Sequence, residues 1–375
     1  MKKLLLYLRR EPMLPVSVLA AAVSLLLTPP SKALLASIDF KTLATLFMLL
    51  SVLDGFKHEN LFLPLLKLTG RMRSARSLGF FLVFAVFFSS MFVTNDVSLI
   101  IFVPLTIVLY RKREQEGYIL PLLAMENIAA VRGSLLTPFG SPQNLFLFSS
   151  SGMSAGAFIG MMLPLWLFSA ALVVLFLLFI FRKEPACTAA LCSDTWKAWA
   201  PERRGKRLLY LSLFILVLLT VVTRTAYWPY ITLLVALLLL IFDRSVFKRV
   251  DYVLLLTFFC FFVFSSSVAA NETVADFLRR SVSGHEYLWS IGISQFISNV
   301  PASIVLWPFT LDVKPLIYGL DTAGLVSVIG SLASVINLRL YLKEYPGHGK
   351  RFLAAFEKYS LLFFLPCLLL QQLLL

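Results

Sequence analysis

The sequence has few of the side chains that build enzyme centres, with only 3 histidines and 4 cysteines in 375 residues. His58, His285 and His348 are too scattered to complete a catalytic constellation, and no glycine-rich phosphate loop for ATP is present. Cys187 and Cys192 have no nearby histidine and fit no common zinc pattern. We therefore expect neither an enzyme nor a protein with a bound cofactor.

Charge is also scarce, because charged residues make up 14% of the chain and hydrophobic residues 59%. The mean hydropathy of +0.85 is that of a polytopic, all-α membrane protein in a lipid bilayer. The apolar runs are long and do not alternate, which argues against an outer-membrane barrel. The net charge of +14 comes from basic loops that set topology, so nucleic acid is not an expected partner.

The apolar stretch 78–109 has basic residues before and after it, so both of its ends are predicted to lie on the cytoplasmic side. This pattern predicts a re-entrant hairpin that turns at Thr94, Asn95 and Asp96. A turn at membrane depth is tolerated only where protein or a watery cavity satisfies its backbone. A carboxyl group there costs about 2.5–3.5 kcal/mol on insertion scales, so Asp96 predicts an ion or substrate site.

The rest of the chain reads as spans separated by short loops. The predicted spans are 13–28, 33–53, 117–149, 158–181, 207–223, 227–242, 251–270, 315–342 and 350–374. We expect an interfacial helix at 59–69, a cytoplasmic linker at 182–206, a short polar helix at 272–281 and a second hairpin at 285–310. The spans 117–149 and 315–342 are predicted to be broken, the first at Thr137–Pro142 and the second at Gly330-Ser331. This topology places the N-terminus in the cytoplasm and the C-terminus outside.

The two halves of the chain, 1–181 and 207–375, repeat the same order of features. FVTNDVSLIIFVPLT corresponds to FISNVPASIVLWPFT, with Asn95 opposite Asn299, and Gly140-Ser141 corresponds to Gly330-Ser331. The first hairpin is predicted to open inside and the second outside. Such an inverted repeat is typical of secondary transporters, which bind substrate where discontinuous helices meet at the midplane.

Three segments, TNDVSLIIFVPL, ENIAAVRGSLLTPFGSPQN and SQFISNVPA, resemble the ion transporter superfamily. That group includes the arsenical pump membrane protein, the divalent anion:sodium symporters for citrate and dicarboxylates, and related sodium/proton antiporters. The resemblance covers roughly residues 40 to 345. It implies two re-entrant hairpins, two broken spans, a homodimer and an elevator-like transport domain. Two departures are Asp96, where the symporters have threonine, and Val300, which follows Asn299 in place of threonine.

The candidate site residues lie at the hairpin tips and the breaks, where helix N-termini with free N–H groups favour anions. We expect substrate or ion binding by Thr94, Asn95, Asp96, Asn127, Arg132, Thr137, Gly140, Ser141, Gln143, Asn144, Ser298, Asn299, Asp321, Gly330 and Ser331. Asn95 and Asn299 are candidates for holding Na⁺.

Three carboxyl groups, those of Asp96, Glu126 and Asp321, are candidate proton carriers. For Asp321 the alternative is a position near the membrane surface, and for Glu126 and Asn127 it is a helix-packing pair. Arg132 would be a counter-ion for an anionic substrate. Its alternative is an internal pair with Glu126 or Asp96, or a side chain that snorkels to the surface.

These features predict a secondary-active transporter of a small anion, a dicarboxylate or an inorganic oxyanion, driven by a proton or sodium gradient. Two alternatives are an arsenite or antimonite efflux permease and a sodium/proton antiporter. Against the first, no cysteine lies at the breaks. A separate ATPase subunit is a less favoured energy source than the gradient. The expected location is the cytoplasmic membrane of a prokaryote.

Overall fold

The computed structural model describes residues 13–29, 31–59, 61, 68–72, 74–182 and 204–375. Regular secondary structure in these ranges is helical, with no strand. Six helices in this part of the chain are long and apolar enough to cross a membrane. The predicted all-α polytopic membrane fold is therefore confirmed. The N-terminal leader, most of the 59–69 segment, the linker up to residue 203 and Cys187 and Cys192 lie outside the described residues.

The first helices differ from the prediction at one point. Helix α1 (Met13–Leu27) matches the first predicted span, but the second predicted span, 33–53, is wrong as a continuous helix. It is divided into a short α2 (Lys32–Ala36) and α3 (Phe40–His58). The cause is Asp39, whose carboxylate accepts a hydrogen bond from the Thr42 backbone N–H at 2.9 Å and starts a new helix there.

The first predicted hairpin forms as two helices that fold back on each other. Helices α4 (Ala75–Val93) and α5 (Asn95–Lys112) are joined by Thr94 alone. The hydroxyl oxygens of Ser89 on α4 and Ser98 on α5 lie 2.8 Å apart, which shows that the chain reverses at the tip.

The first broken span and the helix after it follow the predicted pattern. Helix α6 (Ile119–Gly133) continues as a 3₁₀ turn (Ser134–Leu136), and the chain then makes a turn in which the Gly140 N–H donates to the Thr137 carbonyl at 3.2 Å before Ser141. Helix α7 (Pro142–Ser151) starts at Pro142, which suits the first position of a helix because it lacks an N–H. Gly152, with φ 72°, ends this helix, and the long apolar helix α8 (Ala155–Ile180) follows.

The second half contains the corresponding elements. They are α9 (Arg204–Thr223), α10 (Trp228–Phe242), α11 (Tyr252–Ala270), α12 (Glu272–Val282), α13 (Glu286–Ile297), α14 (Asn299–Leu306), α15 (Val313–Ala323), α16 (Leu332–Glu344) and α17 (Gly349–Leu374). Ser298 alone joins α13 to α14, as Thr94 joins α4 to α5.

The second break is longer than the predicted Gly330-Ser331 pair. Helix α15 ends at Ala323 and α16 begins at Leu332. Gln295 on α13 holds the loop between them, because its Nε2 donates to the Ala323 carbonyl at 3.3 Å and its Oε1 accepts from the Ser327 hydroxyl at 2.6 Å. These bonds satisfy backbone and side-chain groups that a continuous helix would have paired itself.

The two halves interlock through their broken helices. Helix α16 of the second half packs against α5 of the first hairpin, and α7 of the first half packs against α14 of the second hairpin. One hydrophobic core accordingly joins α4, α5 and α6 to α16 and α17, and another joins α7 and the start of α8 to α11, α14 and α15. The hairpin tips and the breaks are thereby brought to the middle of one bundle.

A third core and a cluster of charged residues hold α3, α9 and α10 together. Asp243, at the end of α10, accepts hydrogen bonds from Tyr210 at 2.9 Å and from Ser245 at 2.5 Å, and Arg249 lies 3.6 Å away. Burial opposes ionisation, but these hydrogen bonds and the charges of Lys206 and Arg249 hold the pKa of Asp243 below its usual value. These three helices, here called the frame, pack together beside the interlocked hairpins.

Candidate functional site

The two hairpin tips have the same unusual backbone conformation. Thr94 has φ 71° and ψ 155°, and Ser298 has φ 70° and ψ 158°. Only glycine adopts this region readily, and such strain costs on the order of 1–3 kcal/mol. Each tip also contacts the broken span of its own half: the Asn95 N–H donates to the Gly140 carbonyl at 3.3 Å, and Asn299 Nδ2 donates to the carbonyl of Leu320, in the last turn of α15, at 3.2 Å. Tertiary contacts therefore hold both strained turns in place.

The two breaks require glycine for the same reason. A Cβ atom on Gly140 would stand 2.3 Å from the Ser134 carbonyl oxygen, and one on Gly330 would stand 2.1 Å from the Ala323 carbonyl oxygen. In both cases the neighbour is backbone at the end of the preceding half-helix and cannot rotate away. The first break is further tied to its hairpin by Thr137, whose hydroxyl donates to the Met91 carbonyl.

A cavity of about 500 Å³ lies where both tips and both breaks meet. Six predicted site residues line it: Asn95, Asp96, Gln143, Ser298, Asn299 and Ser331. The other predicted site residues are not among the residues that line the cavity. The wall is otherwise largely apolar, and it extends past Leu14 to Asp251 and Arg339, which the sequence did not single out.

Four helix N-termini border this cavity. Helices α5, α7, α14 and α16 begin at Asn95, Pro142, Asn299 and Leu332, and all four of these residues are part of its wall. None of the four has a side-chain hydrogen bond at its N-cap, whereas α3, α4, α8, α11, α12 and α15 do. Each helix start carries roughly half a positive charge, so the arrangement favours an anion. At α5 the first two N–H groups are already paired, that of Asn95 with the Gly140 carbonyl and that of Asp96 with Asn95 Oδ1, so this helix acts through its dipole.

Polar atoms without a hydrogen-bond partner among the described residues are concentrated around the tips and breaks. Buried unpaired atoms occur on Asp96, Asn127, Arg132, Ser141, Gln143, Asn144 and Asp321. Buried polar groups are normally paired, so such a cluster indicates a site that binds ligand or water. No group of three or more His, Cys, Asp or Glu that could hold a metal ion occurs within the described ranges.

Asp321 lies in the interior of the bundle, where it contacts the first half of the chain. It is 1% exposed, and its Oδ1 accepts a hydrogen bond from Gln143 Nε2 at 2.9 Å. Gln143 belongs to the first half and lines the cavity, whereas Asp321 belongs to the second half and is not among the lining residues. The glutamine amide thus stands between the carboxyl group and the cavity.

Arg132 is fully buried, so the snorkelling alternative is wrong. Its Nε donates to the Ser169 hydroxyl at 3.0 Å, and its Nη1 lies 3.4 Å from both the Asp321 carbonyl oxygen and the Thr322 hydroxyl. The pair with Glu126 or Asp96 does not occur among the described ion pairs. Arg132 does not line the cavity, which places it beside Asp321 instead of against a bound anion.

Glu126 and Asn127 face two different neighbours. The Thr106 hydroxyl on α5 donates to Glu126, and Asn127 Nδ2 donates to the Ser334 hydroxyl on α16 at 3.0 Å. Both side chains are fully buried and neither lines the cavity. These contacts tie α6 to the first hairpin and to the second broken helix.

Several residues near the site were not predicted from the sequence. Asp251 and Arg339 line the cavity, and Gln371 on α17 bonds to Thr322 and to Tyr287 at distances of 2.6 to 3.1 Å. Arg339 had a signal, since it is a basic residue inside a predicted span. Gln371 had a weaker one, as a polar residue near the end of the apolar segment 350–374. Asp251 reads as an ordinary helix cap, which it also is.

An apolar helical bundle whose interrupted helices surround a central cavity defines a membrane transport protein. The family model described as "Citrate transporter" matches residues 4–330, and the chain belongs to this family. The resemblance to the ion transporter superfamily is thereby confirmed. Among curated relatives, the chain is 33% identical over 312 residues to the inner membrane protein YbiR of Escherichia coli. It is 31% identical over 304 residues to an uncharacterized transporter of Methanocaldococcus jannaschii. Both matches cover 81% of this chain and 81% of the relative.

Proposed function

We propose that this membrane transporter carries a small anion, a dicarboxylate or an inorganic oxyanion, by secondary active transport coupled to protons. The observation that carries the proposal is the meeting of four uncapped helix N-termini at one cavity. Their partial charges sum to roughly two elementary charges, enough to replace much of the hydration of a small anion.

The size of the cavity fits this class of substrate. A volume of about 500 Å³ is in the range of small-molecule sites, roughly 300–1,000 Å³. Arg339 adds a positive side chain to the wall. The name of the family extends the proposal to carboxylate anions such as citrate.

Proton coupling is supported by Asp96 in the cavity wall. A carboxylate and an anion repel each other in a site of low dielectric constant, so the two bind together only when the carboxylate carries a proton. The sodium interpretation has less support, because Asn95 Oδ1 already accepts a hydrogen bond from the Asp96 N–H at 2.9 Å.

A second candidate, cation/proton antiport, is favoured by one observation. Asp96 and Asp251 both line the cavity and would attract a cation once ionised. Arsenite efflux has less support, since Cys260 and Cys367, the cysteines within the described ranges, do not line the cavity.

The inverted repeat is also part of the proposal, with 1–181 and 207–375 as its halves. It is supported by the matched tips, the matched breaks and the reciprocal contacts of α16 with α5 and α7 with α14. By the charge pattern, the cavity opens toward the cytoplasm past Leu14, Asp251 and Arg339, with the C-terminus outside. The interlocked hairpins would move against the α3, α9 and α10 frame as an elevator. The homodimer stays a prediction.

The test is binding and uptake by the purified protein. Thermal unfolding is measured with succinate, citrate, sulfate, phosphate and sodium at two pH values, because a ligand specific to the native state raises the melting temperature. We expect an anion to stabilise the protein more strongly at the lower pH, and an inward proton gradient to drive its uptake into proteoliposomes. Stabilisation by sodium alone, with no response to anions, would favour the antiporter.

A further inference from the structure

The amide of Gln143 connects the cavity to a buried carboxyl group of the other half. Its Nε2 donates to Asp321 Oδ1 at 2.9 Å, and Gln143 is one of the residues that line the cavity. An ionised carboxylate has only acceptors, so it must receive the NH₂ side of the amide. The carbonyl oxygen is then turned away from Asp321.

This arrangement leaves two acceptors unpaired. Gln143 Oε1 and Asp321 Oδ2 are both buried without a hydrogen-bond partner among the described residues. Protonation of Asp321 would turn one acceptor into a donor, which could satisfy Gln143 Oε1. The terminal amide torsion of glutamine is roughly two-fold, so the group can reverse without backbone movement.

The positive charge of Arg132 next to Asp321 also favours an anion in the cavity once Asp321 is protonated. Arg132 lies beside it, with Nη1 3.4 Å from the Asp321 carbonyl oxygen. When Asp321 is ionised, the two charges balance, and when it is protonated, one positive charge remains behind the cavity wall. The polar or titratable groups of the surrounding elements are Asn144 on α7, Glu286 and Tyr287 on α13, Asn299 on α14, Tyr318 on α15, and Cys367 and Gln371 on α17. Of these, Glu286 is engaged elsewhere by the Leu311 N–H at 3.2 Å.

We propose that Asp321 is a positioning residue whose protonation turns the Gln143 amide, so that its NH₂ group faces the cavity and binds the anion. In the ionised state Asp321 holds one N–H of the amide and the carbonyl oxygen is turned away from Asp321, so fewer donors are available to the anion and it binds more weakly. This inference rests on the proposed function and gives it a second proton site in addition to Asp96. Anion binding should therefore take up one proton at each of the two carboxyl groups.

The experiment measures succinate binding to the purified full-length protein by calorimetry, at several pH values above the second pKa of succinate. The change of log Kd with pH gives the number of protons taken up. We expect a slope near two for the wild type and near one for Asp321→Asn, so that Kd changes about tenfold less per pH unit. The variant Gln143→Leu should show the same loss of slope, although its Asp321 is intact. A purely structural role for Gln143 would weaken binding without changing proton uptake.

Asp276→Asn serves as the matched control, because it removes an exposed carboxylate that pairs with Arg279 at 3.1 Å away from the cavity. Its slope should equal that of the wild type. If Gln143→Leu keeps the wild-type slope, the inference is wrong and the proposed function stands. If the wild type binds none of the anions of the thermal screen, the proposed function fails and this inference fails with it.

Discussion

Asp96 is the ionisable residue at the first hairpin tip, where the start of α5 meets the cavity. Its Oδ1 is buried and has no hydrogen-bond partner in the described part of the chain. The sequence alone predicted its importance, because a carboxyl group between two cytoplasmic ends has to be placed at depth. Its neighbours could not be predicted, since they come from α11 and α16, far away in sequence.

Asp96→Asn should abolish uptake driven by a proton gradient and leave the protein folded. The amide cannot exchange a proton, but it keeps the size and polarity of the side chain. Uptake of the stabilising anion into proteoliposomes with and without a pH gradient checks this, with Asp276→Asn as the exposed control. Gradient-driven uptake that survives in Asp96→Asn would remove this residue from the coupling mechanism.

Arg132 shows the limit of sequence reasoning at this scale. Its position one or two turns before a break suggested a contact with substrate. The structure instead surrounds it with Ser169, Thr322 and the Asp321 backbone. Only the tertiary contacts of α6 with α8, α15 and α17 decide which way this side chain points.

Arg132→Met should therefore destabilise the protein by about 1–3 kcal/mol, because the buried Ser169 hydroxyl, Thr322 hydroxyl and Asp321 carbonyl lose their donor and a positive charge beside Asp321 is removed. The double variant Arg132→Met/Asp321→Asn should recover part of that loss. The free energy of unfolding of the detergent-solubilised variants, measured by titration with denaturant, checks both predictions. A wild-type melting temperature for Arg132→Met with a selective loss of anion binding would restore the direct-contact interpretation.

At the scale of elements, the breaks are the best predicted features and their lengths the worst. Pro138 and Pro142 end and restart helices by local chemistry, so the first break could be placed from the sequence. The second break extends from Gly324 to Ser331 because Gln295 from α13 bonds to Ala323 and Ser327. The Asp39 cap is a similar local signal, but it lies inside the apolar stretch 33–53, whose composition predicts one continuous span.

Gly140→Ala should destabilise the first break by about 1–3 kcal/mol, the usual cost of forcing extra volume into a packed site. The added Cβ would stand 2.3 Å from the Ser134 carbonyl oxygen. The matched control is Gly160→Ala on α8, where nothing lies within 4 Å of the added atom. Melting temperatures of the two variants check the prediction, and an equal effect of both would contradict it.

At the scale of the whole molecule, the halves form a bundle in which each broken helix packs against the other half's hairpin. This interlocking explains why the tips and breaks share one cavity. The matched motifs predict a repeat, whereas no signal in the sequence predicts that helices of one half pack against the hairpin of the other. Sequence similarity orders the elements along the chain but does not say which of two equivalent partners each one packs against.

The proposal that both tips meet at one cavity that is open to water and binds an anion is tested most directly by cysteine labelling. Asn95→Cys and Val300→Cys, each at a tip and lining the cavity, are introduced into protein whose native cysteines are replaced by serine. The control is Leu167→Cys, because Leu167 is 54% exposed on the apolar surface of α8.

A charged thiol reagent is applied to oriented vesicles that contain each variant. The account predicts that both tip positions react from the same side of the membrane, that the stabilising anion slows both reactions, and that position 167 does not react. Two tip positions that react only from opposite sides, or that are sealed from water under every condition, would contradict it.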